Sequence, residues 1–309
     1  MVRLSVNNKY TTLIRRLLPA CDNDISLAKR QIIWMKEKII MDRHDIKNTS
    51  TLLTTEELNR LDTFVQQRVE QHKPLQYILG TQPFYGLDIL TRPPTLIPRW
   101  ETEEWTHRLV ELIQPYWKKQ QGRRRRILDI CTGSGCIALA LAAHLPSNST
   151  DILGLDISTE AIKLANDNLV IHQNQLNGNQ VQFQIQDIYQ AKVEKLFDDP
   201  WVDLVVSNPP YVTHTEYVNL EAEVKQWEDK RALVADNQGI LLHQRLIELV
   251  SKNNNNKKKD GDELLPRLIM EIGGEHQVSS LKQILDSYGF RHIKIWKDLA
   301  GKDRVILAS

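Results

Sequence analysis

From residue 127 onward, short apolar runs alternate with longer amphipathic segments. The runs are rich in Ile, Val and Leu, which is typical of buried parallel strands, and the segments between them repeat apolar residues at helical spacing. The runs predict seven strands, at Ile127–Cys131, Ile152–Asp156, Val181–Ile185, 202–207, Leu268–Ile272, His292–Trp296 and Arg304–Ala308. Helices are predicted over Ile137–Leu145, Ser158–His172 (with Ser158 as N-cap), Gly239–Val250 and Val278–Tyr288. This alternation predicts an α/β fold with a doubly wound sheet, closed by an antiparallel hairpin.

Residues 1–72 carry a helical pattern without strands. Ile32 and Ile39 fall on one helical stripe, and Trp34 is interpreted as a buried anchor. Thr54 and Glu57 have the spacing of a capping box, with Thr54 as N-cap. This stretch contains no phosphate-binding loop or ligand cluster. We therefore predict a small amino-terminal helical domain, 1–72, that serves substrate recognition.

Between residues 73 and 98 the pattern changes to short strands and turns. Gln76–Gly80 and Phe84–Leu90 predict short strands, and prolines follow at 93, 94 and 98. We interpret 73–98 as a hairpin linker and 99–309 as the domain that contains the large sheet. Within that domain, the asparagine- and lysine-rich stretch 253–259 predicts a disordered surface loop.

Composition narrows the classes of partner. The chain has 309 residues and a net charge of +1, and no apolar stretch approaches the roughly 20 residues of a membrane-spanning helix. We therefore expect no direct nucleic-acid partner, no membrane and a monomer. Cys21, Cys131 and Cys136 form no CxxC pair, so we expect no metal site. The basic run Arg123–Arg126 is interpreted as a solvated turn.

The amino terminus is basic, with hydroxyl residues and no acid before Asp22. That composition is typical of a mitochondrial transit peptide. The same residues also fit a basic first helix of the fold, over Tyr10–Leu18. The two interpretations are compatible, and we predict that the protein is located in the mitochondrial matrix.

The fourth predicted strand ends in Asn208-Pro209-Pro210-Tyr211. The prolines end ladder pairing, so the strand delivers Asn208 and Tyr211 to the carboxyl edge of the sheet, where open α/β folds bind ligands. Neither proline has an N–H, so the turn offers carbonyl acceptors, the Asn208 oxygen adds another, and Tyr211 supplies an aromatic face. Such a site suits a planar group with an NH2. The same four residues are also compatible with a strand end followed by an ordinary Pro-Pro turn without a ligand.

The segment after the first strand predicts a cofactor loop. Gly133 and Gly135 allow a tight turn and close approach of the backbone to a ligand. Asp129, at the end of the strand, could hold an ammonium group. Asp156 ends the second strand, where a carboxylate can accept both hydroxyls of a ribose, and Asp187 follows the third, where it could contact an adenine amino group. The predicted cofactor-binding set is Asp129, Cys131, Thr132, Gly133, Ser134, Gly135, Asp156, Asp187, Ile188 and Asn208.

The loop alone leaves two cofactors open. Gly133, Gly135 and Ala138 also satisfy G-x-G-x-x-A, and Asp156 follows at nearly the spacing of a dinucleotide site, which would suit an NAD-dependent oxidoreductase. Two features favour methyl transfer from S-adenosylmethionine. Asp129 suits the ammonium of a methionine-derived cofactor, and the Asn-Pro-Pro-Tyr segment has no use in hydride transfer.

With these motifs the chain resembles the protein glutamine methyltransferases that modify peptide chain release factors. The resemblance also rests on segments outside the cofactor loop, namely Pro74–Gly80, Phe84–Gly86, Leu96–Arg99 with Glu101–Glu103, Glu271–Gly273 and Asp298–Arg304. The chain departs from the family at Trp100, where proline is usual, and at Glu228-Asp229, where Glu-Pro is usual. The helical domain resembles the bacterial and organellar branch.

The resemblance implies a fold, a cofactor and a substrate. The fold would be a seven-stranded Rossmann-like methyltransferase sheet, and the cofactor S-adenosyl-L-methionine. The substrate would be the glutamine of the Gly-Gly-Gln motif in a class 1, mitochondrial release factor, methylated on its side-chain nitrogen. Asn208, Pro209, Pro210 and Tyr211 would then form the catalytic segment. An adenine N6 methyltransferase acting on nucleic acid uses the same segment and stays open, as does a scaffold that binds the cofactor without turnover.

Overall fold

The computed structural model describes residues 2–43, 50–119, 124–198, 202–252 and 265–309. The chain divides into two compact units. The helical unit comprises Met1–Thr81 together with Glu221–Trp227, and the sheet unit comprises Gln82–Leu220 and Glu228–Ser309. The predicted loop 253–259 and Arg123 of the basic run lie outside the described residues.

The elements alternate along the sheet unit as the apolar pattern predicts. The helices are α1 Val2–Leu17, α2 Ile25–Met41, α3 Thr55–Glu70, α4 Leu75–Leu79, α5 Trp100–Lys119, α6 Cys136–His144, α7 Thr159–His172, α8 Lys195–Asp198, α9 His214–Val218, α10 Ala222–Trp227, α11 Asp236–Gly239, α12 Leu241–Lys252 and α13 Glu275–Ser287. The strands are β1 Thr81–Phe84, β2 Leu87–Leu90, β3 Arg125–Ile130, β4 Thr150–Asp156, β5 Gln180–Ile185, β6 Leu204–Ser207, β7 Leu268–Glu271, β8 Lys294–Lys297 and β9 Asp303–Ala308.

The core of the helical unit is built from one stripe on each of its long helices. Leu13 of α1, Met35 of α2 and Leu61 of α3 are buried against one another's helices in a single cluster. Helix α3 begins at the predicted capping box. Thr54 Oγ1 accepts from the Glu57 N–H, and the Glu57 carboxylate accepts from the Thr54 N–H at 2.8 Å. This prediction is confirmed.

The prediction of a strand at Gln76–Gly80 is wrong, because the segment forms helix α4. Pro74 precedes the helix with φ −52°, and Gly80 ends it in a left-handed conformation at φ 86°. Leu75 and Ile78, three positions apart, are buried in the core of the helical unit. Burial of this helical pair outweighs the preference of Tyr and Ile for strands, which is a weak and context-dependent preference.

The prediction that Trp34 is a core anchor is also wrong. Its side chain is 39% exposed. The buried stripe of α2 passes through Ala28, Ile32, Met35 and Ile39, at spacings of three and four residues. Position 34 falls outside that stripe and faces solvent.

The sheet unit contains a seven-stranded sheet in the order β5-β4-β3-β6-β7-β9-β8. Strands β3 to β7 are parallel to one another, and β9 pairs antiparallel with both β7 and β8. The predicted α/β sheet with a closing hairpin is therefore confirmed. A separate two-stranded sheet joins β1 and β2 around Tyr85-Gly86, both of which have positive φ. The strand predicted over Phe84–Leu90 is therefore present only in its second part, as β2, because Tyr85-Gly86 forms the turn that follows β1.

Alternation of side chains along the central strands builds a core on each face of the sheet. Ile127, Leu204 and Val206 contribute to one buried cluster, whereas Leu128 and Val205 contribute to the other. Because β3 lies between β4 and β6, the chain order reverses beside β3. The carboxyl ends of parallel strands flank a crevice at such a switch point, and this edge is where the predicted site residues converge.

Candidate active site

A tightly turned loop, Cys131 to Gly135, connects β3 to α6. Cys131, Gly133 and Gly135 have left-handed backbones, at φ 61°, 56° and 81°. A Cβ at Gly135 would lie 2.6 Å from Phe183 Cζ, so a side chain has no room there. The Gly135 N–H donates to the Thr132 carbonyl at 2.9 Å, which closes the turn. The loop therefore brings its backbone over the end of β3.

Asp129 is a fully buried carboxylate beneath this loop. Its Oδ2 accepts from Thr132 Oγ1 at 2.6 Å and from the Ala138 N–H at 3.3 Å. Its Oδ1 has no hydrogen-bond partner among the described residues. Burial raises the pKa of Asp129 to about 7, against the lowering effect of its hydrogen bonds. A buried carboxylate oxygen without a donor costs free energy, and an ammonium group would remove that cost.

Asp156 ends β4 and is held by backbone donors on both oxygens. Oδ2 accepts from the Gly133 N–H and Oδ1 from the Ser158 N–H, each at 2.9 Å. Burial raises the pKa of Asp156, and these two hydrogen bonds oppose that rise. Each carboxylate oxygen keeps a further lone pair for a ligand hydroxyl. Ser158 also accepts from the Ala161 N–H, which confirms it as the N-cap of α7.

A cavity of about 280 Å³ lies at this edge of the sheet. The predicted residues that line it are Cys131, Gly133, Asp156, Asp187, Ile188, Asn208 and Pro210. Four other predicted loop-region residues, Asp129, Thr132, Ser134 and Gly135, are absent from its lining, as are Pro209 and Tyr211. Thr132 and Ser134 are buried.

Part of the cavity wall comes from residues that the sequence pattern did not indicate. They are Pro94, Thr95, Leu96, Leu155, Ile157, Ser158, Ala161, Gln186, Tyr189, Asp229, Arg231, Ala232 and Leu242. Residues 94–96 belong to the segment that the sequence predicts as a linker, yet they line the cavity, and the Pro94 carbonyl accepts from the Asp229 N–H at 2.7 Å. Asp229 supplies that donor, which the proline expected at this position from the resemblance would lack. Tyr189 donates its N–H to Asp187 Oδ1 at 2.9 Å, which fixes both at the rim.

Asn208 follows β6 and lines the cavity, whereas its hydrogen-bond partner Thr102 does not. Its Nδ2 donates to Thr102 Oγ1 at 3.2 Å. Thr102 Oγ1 in turn donates to Glu271 Oε2 at 2.7 Å. Because the amide group is planar, this bond places Oδ1 on the other edge of the side chain. Asn208 therefore presents an acceptor rather than a donor on the edge away from Thr102.

Tyr211 is held at both its hydroxyl and its backbone. The hydroxyl donates to Glu271 Oε1 at 3.3 Å, and the backbone carbonyl accepts from Gln277 Nε2 at 3.0 Å. Burial raises the pKa of the Tyr211 phenol, and the nearby Glu271 carboxylate raises it further. Pro209 and Pro210 are buried between Asn208 and Tyr211. The turn is thus a fixed structure.

The sequence matches a family of known function over most of its length. Residues 106–234 match the model of the methyltransferase small domain. A Bacteroides thetaiotaomicron protein named release factor glutamine methyltransferase is 37% identical over 78% of this chain and 78% of its own length. A Flavobacterium psychrophilum protein of the same name is 35% identical over 85% of this chain and 86% of its own length. This chain belongs to the release factor glutamine methyltransferase family.

Relatives of this methyltransferase family also occur in eukaryotes. A Schizosaccharomyces pombe protein with the name "Probable MRF1 mitochondrial N(5)-glutamine methyltransferase mtq1" is 31% identical over 92% of this chain and 88% of its own length. Among solved structures, the N-terminal domain of human METTL16 in complex with SAH aligns over 90% of this chain and 94% of that chain, with 17% identity and a TM-score of 0.48.

As a member of the release factor glutamine methyltransferase family, the chain is an S-adenosylmethionine-dependent enzyme, and the residues at the sheet edge fit that cofactor. The unpartnered Asp129 Oδ1 suits the ammonium of its methionine part. The Asp156 carboxylate, at the end of β4, suits the ribose hydroxyls. The oxidoreductase interpretation of the glycine loop is not supported by any of these relatives.

The residues that the structure describes contain neither a metal-ligand cluster nor a membrane-spanning helix. No group of three or more His, Cys, Asp or Glu side chains there is arranged to hold a metal ion. In the same parts of the chain, no helix combines the length and the apolar character needed to cross a membrane.

Proposed function

We propose that this enzyme methylates the side-chain amide nitrogen of the glutamine in the Gly-Gly-Gln motif of a class 1 peptide chain release factor. The names of its relatives support a release-factor glutamine as substrate. The observation that carries the proposal is the orientation of Asn208, whose NH2 is bound by Thr102 so that its oxygen lies on the other edge. A primary amide needs such an acceptor for its hydrogens.

The reaction requires orientation more than acid–base chemistry. An amide nitrogen is a poor nucleophile because its lone pair is shared with the carbonyl. We assign the Asn208 oxygen and the Pro209 carbonyl to the two amide hydrogens, which leaves the lone pair directed at the donor methyl. Bound geometry of this kind can contribute several kcal/mol to lowering a barrier. Tyr211, fixed through Glu271 and Gln277, would pack over the glutamine amide.

The cofactor would be held by the residues around the β3 loop. When bound, S-adenosylmethionine supplies an electrophilic methyl group. Asp129 would hold its ammonium and Asp156 its ribose hydroxyls, with Asp187 and Ile188 at the adenine end and the backbone of the Cys131–Gly135 loop beside it. Positive charge develops on the glutamine nitrogen as the methyl group arrives, so hydrogen bonds to Asn208 and Pro209 strengthen toward the transition state. The cationic product nitrogen is acidic and loses its proton to water.

The substrate is tested by methyl transfer from labelled S-adenosylmethionine. We expect label in a class 1 release factor and none in a variant with Gly-Gly-Ala in place of Gly-Gly-Gln. Duplex DNA and single-stranded RNA are tested in parallel, because an adenine methyltransferase would label them instead. Label that persists in the Gly-Gly-Ala variant, or that appears only in nucleic acid, would reject the proposed substrate.

The catalytic role is tested by Asn208→Ala. Truncation removes one of two acceptors for the glutamine NH2, and we expect the single-turnover rate to fall about tenfold to a thousandfold. Affinity for S-adenosylmethionine should change little, because Asp129, Asp156 and the loop carry it. A near-normal single-turnover rate at saturating cofactor and substrate would eliminate the mechanism.

We further propose that the substrate is a mitochondrial release factor and that the enzyme acts in the matrix. The support is the basic amino terminus and the mitochondrial relative from fission yeast. Helical substrate recognition is proposed for residues 1–72, and a monomer is the expected state. Fractionation of eukaryotic cells that express the full chain with a carboxyl-terminal tag should recover the protein with matrix markers. Recovery in the cytosol would reject this location.

A further inference from the structure

Glu271 is a buried carboxylate beside the segment that carries Asn208. It ends β7, one position after the Ser207–Met270 pair that joins β7 to β6. Its side chain is only 1% exposed. Oε2 accepts from Thr102 Oγ1 at 2.7 Å and from Trp105 Nε1 at 2.9 Å. A buried charged group that accepts several hydrogen bonds holds its donors in fixed directions.

Thr102 is the link between Glu271 and Asn208. A threonine hydroxyl has one hydrogen to donate and lone pairs that accept. Burial raises the pKa of Glu271, whereas its hydrogen bonds from Thr102 and Trp105 and the charge of Arg304 favour the carboxylate. In that form its oxygens can only accept, so the single hydrogen of Thr102 is directed at Oε2. Toward Asn208 the Thr102 oxygen can then only accept, and the Asn208 side chain must present its NH2. The Glu271 carboxylate therefore sets the donor-to-acceptor direction of both hydrogen bonds in the row Glu271–Thr102–Asn208.

Trp105 reinforces that polarity. An indole N–H is a donor only, and it occupies the same Oε2 atom as Thr102. Thr102 and Trp105 lie three positions apart on α5, so they face Glu271 from one side of that helix. Both side chains are buried, Thr102 at 2% and Trp105 at 3% exposure. Water therefore has little access to the Thr102 hydroxyl and cannot readily offer it another acceptor.

We infer that Glu271 and Thr102 are positioning residues that fix the Asn208 amide with its oxygen toward the methyl-accepting group. The inference rests on the proposed role of Asn208. If the Asn208 amide turned by 180°, its NH2 would face the substrate NH2, and two donors cannot form a hydrogen bond with each other. The shape of the site would be unchanged. The row Glu271–Thr102–Asn208 therefore selects one of two sterically equal states.

Thr102→Val tests this directly, because valine keeps the shape of threonine and removes the hydroxyl. We expect the single-turnover rate to fall about tenfold or more, while KM for the protein substrate and Kd for the cofactor change little. Thr102→Ser restores the hydroxyl and should recover most of the lost rate. Thr106→Val is the matched control, since Thr106 is equally buried on α5 but its hydroxyl donates to the Thr102 backbone carbonyl.

A double variant separates positioning from general damage to the fold. If Thr102 acts only through Asn208, then Thr102→Val should cause no further loss of rate in an Asn208→Ala background. Independent losses that multiply would overturn the inference. A loss in Thr106→Val as large as that in Thr102→Val would also overturn it, because buried-hydroxyl removal alone would then explain both.

Variants at Glu271 provide a second test if Thr102→Val does not fold. In Glu271→Met the Thr102 hydroxyl is released and can donate to Asn208 Oδ1, so the amide can turn and the rate should fall about tenfold or more. Glu271→Gln keeps one oxygen that can accept from Thr102 and Trp105, and it should retain more of the rate than Glu271→Met. Equal rates in the two folded variants would reject the role of Glu271.

Failure of this inference is distinguishable from failure of the proposed function. A wild-type enzyme that does not label the release factor contradicts the proposed function. A wild-type enzyme that labels it, together with a folded Thr102→Val variant of normal rate, contradicts only the positioning role.

Discussion

At the scale of single residues, Asp129 combines burial with one satisfied and one unsatisfied oxygen. Burial raises its pKa from 3.8 to about 7 in the folded chain. Its ionised form is therefore disfavoured by folding, and its contribution to stability falls as the pH rises from 3.8 to about 7 and is constant above that range. An ammonium beside Oδ1 would favour the ionised form again.

The raised pKa of Asp129 couples cofactor binding to pH. We expect affinity for S-adenosylmethionine to increase as the pH rises toward about 7, by up to about tenfold per unit, because the ammonium binds the ionised form of Asp129. Asp129→Asn should bind more weakly and lose this slope. Calorimetric Kd values across that range measure both. A wild-type slope that persists unchanged in Asp129→Asn would show that another group titrates.

Asp156 should contribute to S-adenosylmethionine affinity by binding the ribose hydroxyls and not the ammonium of the cofactor. We expect Asp156→Ala to weaken S-adenosylmethionine binding by about 1.5–3 kcal/mol, the usual value of charge-assisted hydrogen bonds. The variant also frees the Gly133 and Ser158 N–H groups, so circular dichroism should first confirm its fold. Unchanged calorimetric affinity in a folded variant would reject the ribose role.

At the scale of elements, the strands were predictable because they are buried on both faces. Leu204 to Val206 must be apolar at every position to fill both cores, and such runs stand out in a sequence. Helix α4 was not predictable in this way. The residue types of Gln76–Leu79 are also compatible with a strand. The segment is helical because its apolar side chains contact the core of the helical unit.

The same distinction applies to the site. Loop and strand-end residues such as Gly133 and Asp156 carry local signals, because tight turns and carboxylates at strand ends have sequence signatures. The cavity-lining residues that come from other segments of the chain carry no such sequence signal. Leu96 and Arg231 reach the cavity only because distant segments fold over it, and no spacing in the sequence records that approach.

Helix α11 provides a prediction at this scale, because it ends at a glycine pressed against the Asn208 turn. A Cβ at Gly239, where φ is 80°, would lie 2.0 Å from the Tyr211 carbonyl oxygen. We expect Gly239→Ala to lower both stability and single-turnover rate, since the carbonyl that Gln277 holds must move. Gly289 has φ 83° and nothing within 4 Å of the added Cβ, so Gly289→Ala should cost only about 1–2 kcal/mol for its backbone and leave the rate intact.

Urea denaturation and single-turnover assays of the two alanine variants provide the comparison. If Gly239→Ala is no more damaging than Gly289→Ala, crowding at the Tyr211 carbonyl has no consequence and the turn is more tolerant than its contacts indicate.

At the scale of the whole molecule, the helical unit is assembled from two separate parts of the sequence. Arg68 pairs with Glu223, 155 positions downstream, and also donates to the Lys73 carbonyl. Trp227 donates its indole N–H to the Gln71 carbonyl at 2.8 Å. The sequence pattern predicts a boundary at residue 72 and contains no signal that Glu221–Trp227 belongs with the first helices.

Arg68 should therefore stabilise the helical unit more than an exposed arginine does. We expect Arg68→Ala to cost about 1–3 kcal/mol of unfolding free energy, because its side chain is 12% exposed and leaves Glu223 without its partner. The control is Arg16→Ala, whose pair with Asp62 is 40% and 49% exposed and should contribute less than about 1 kcal/mol. Denaturation curves that shift equally for both variants would contradict this difference.

The two-part origin of the helical unit limits how the gene could recombine. An exchange confined to the codons of the first 81 residues would combine foreign helices with a native Glu223, so the residue at position 68 would match it only by chance. Trp227 needs no such match, because its partner is a backbone carbonyl. Substitutions at positions 68 and 223 should therefore occur together, across a distance of 155 codons. The amino-terminal helices are not an exchangeable cassette, even though they precede all of the cofactor loop.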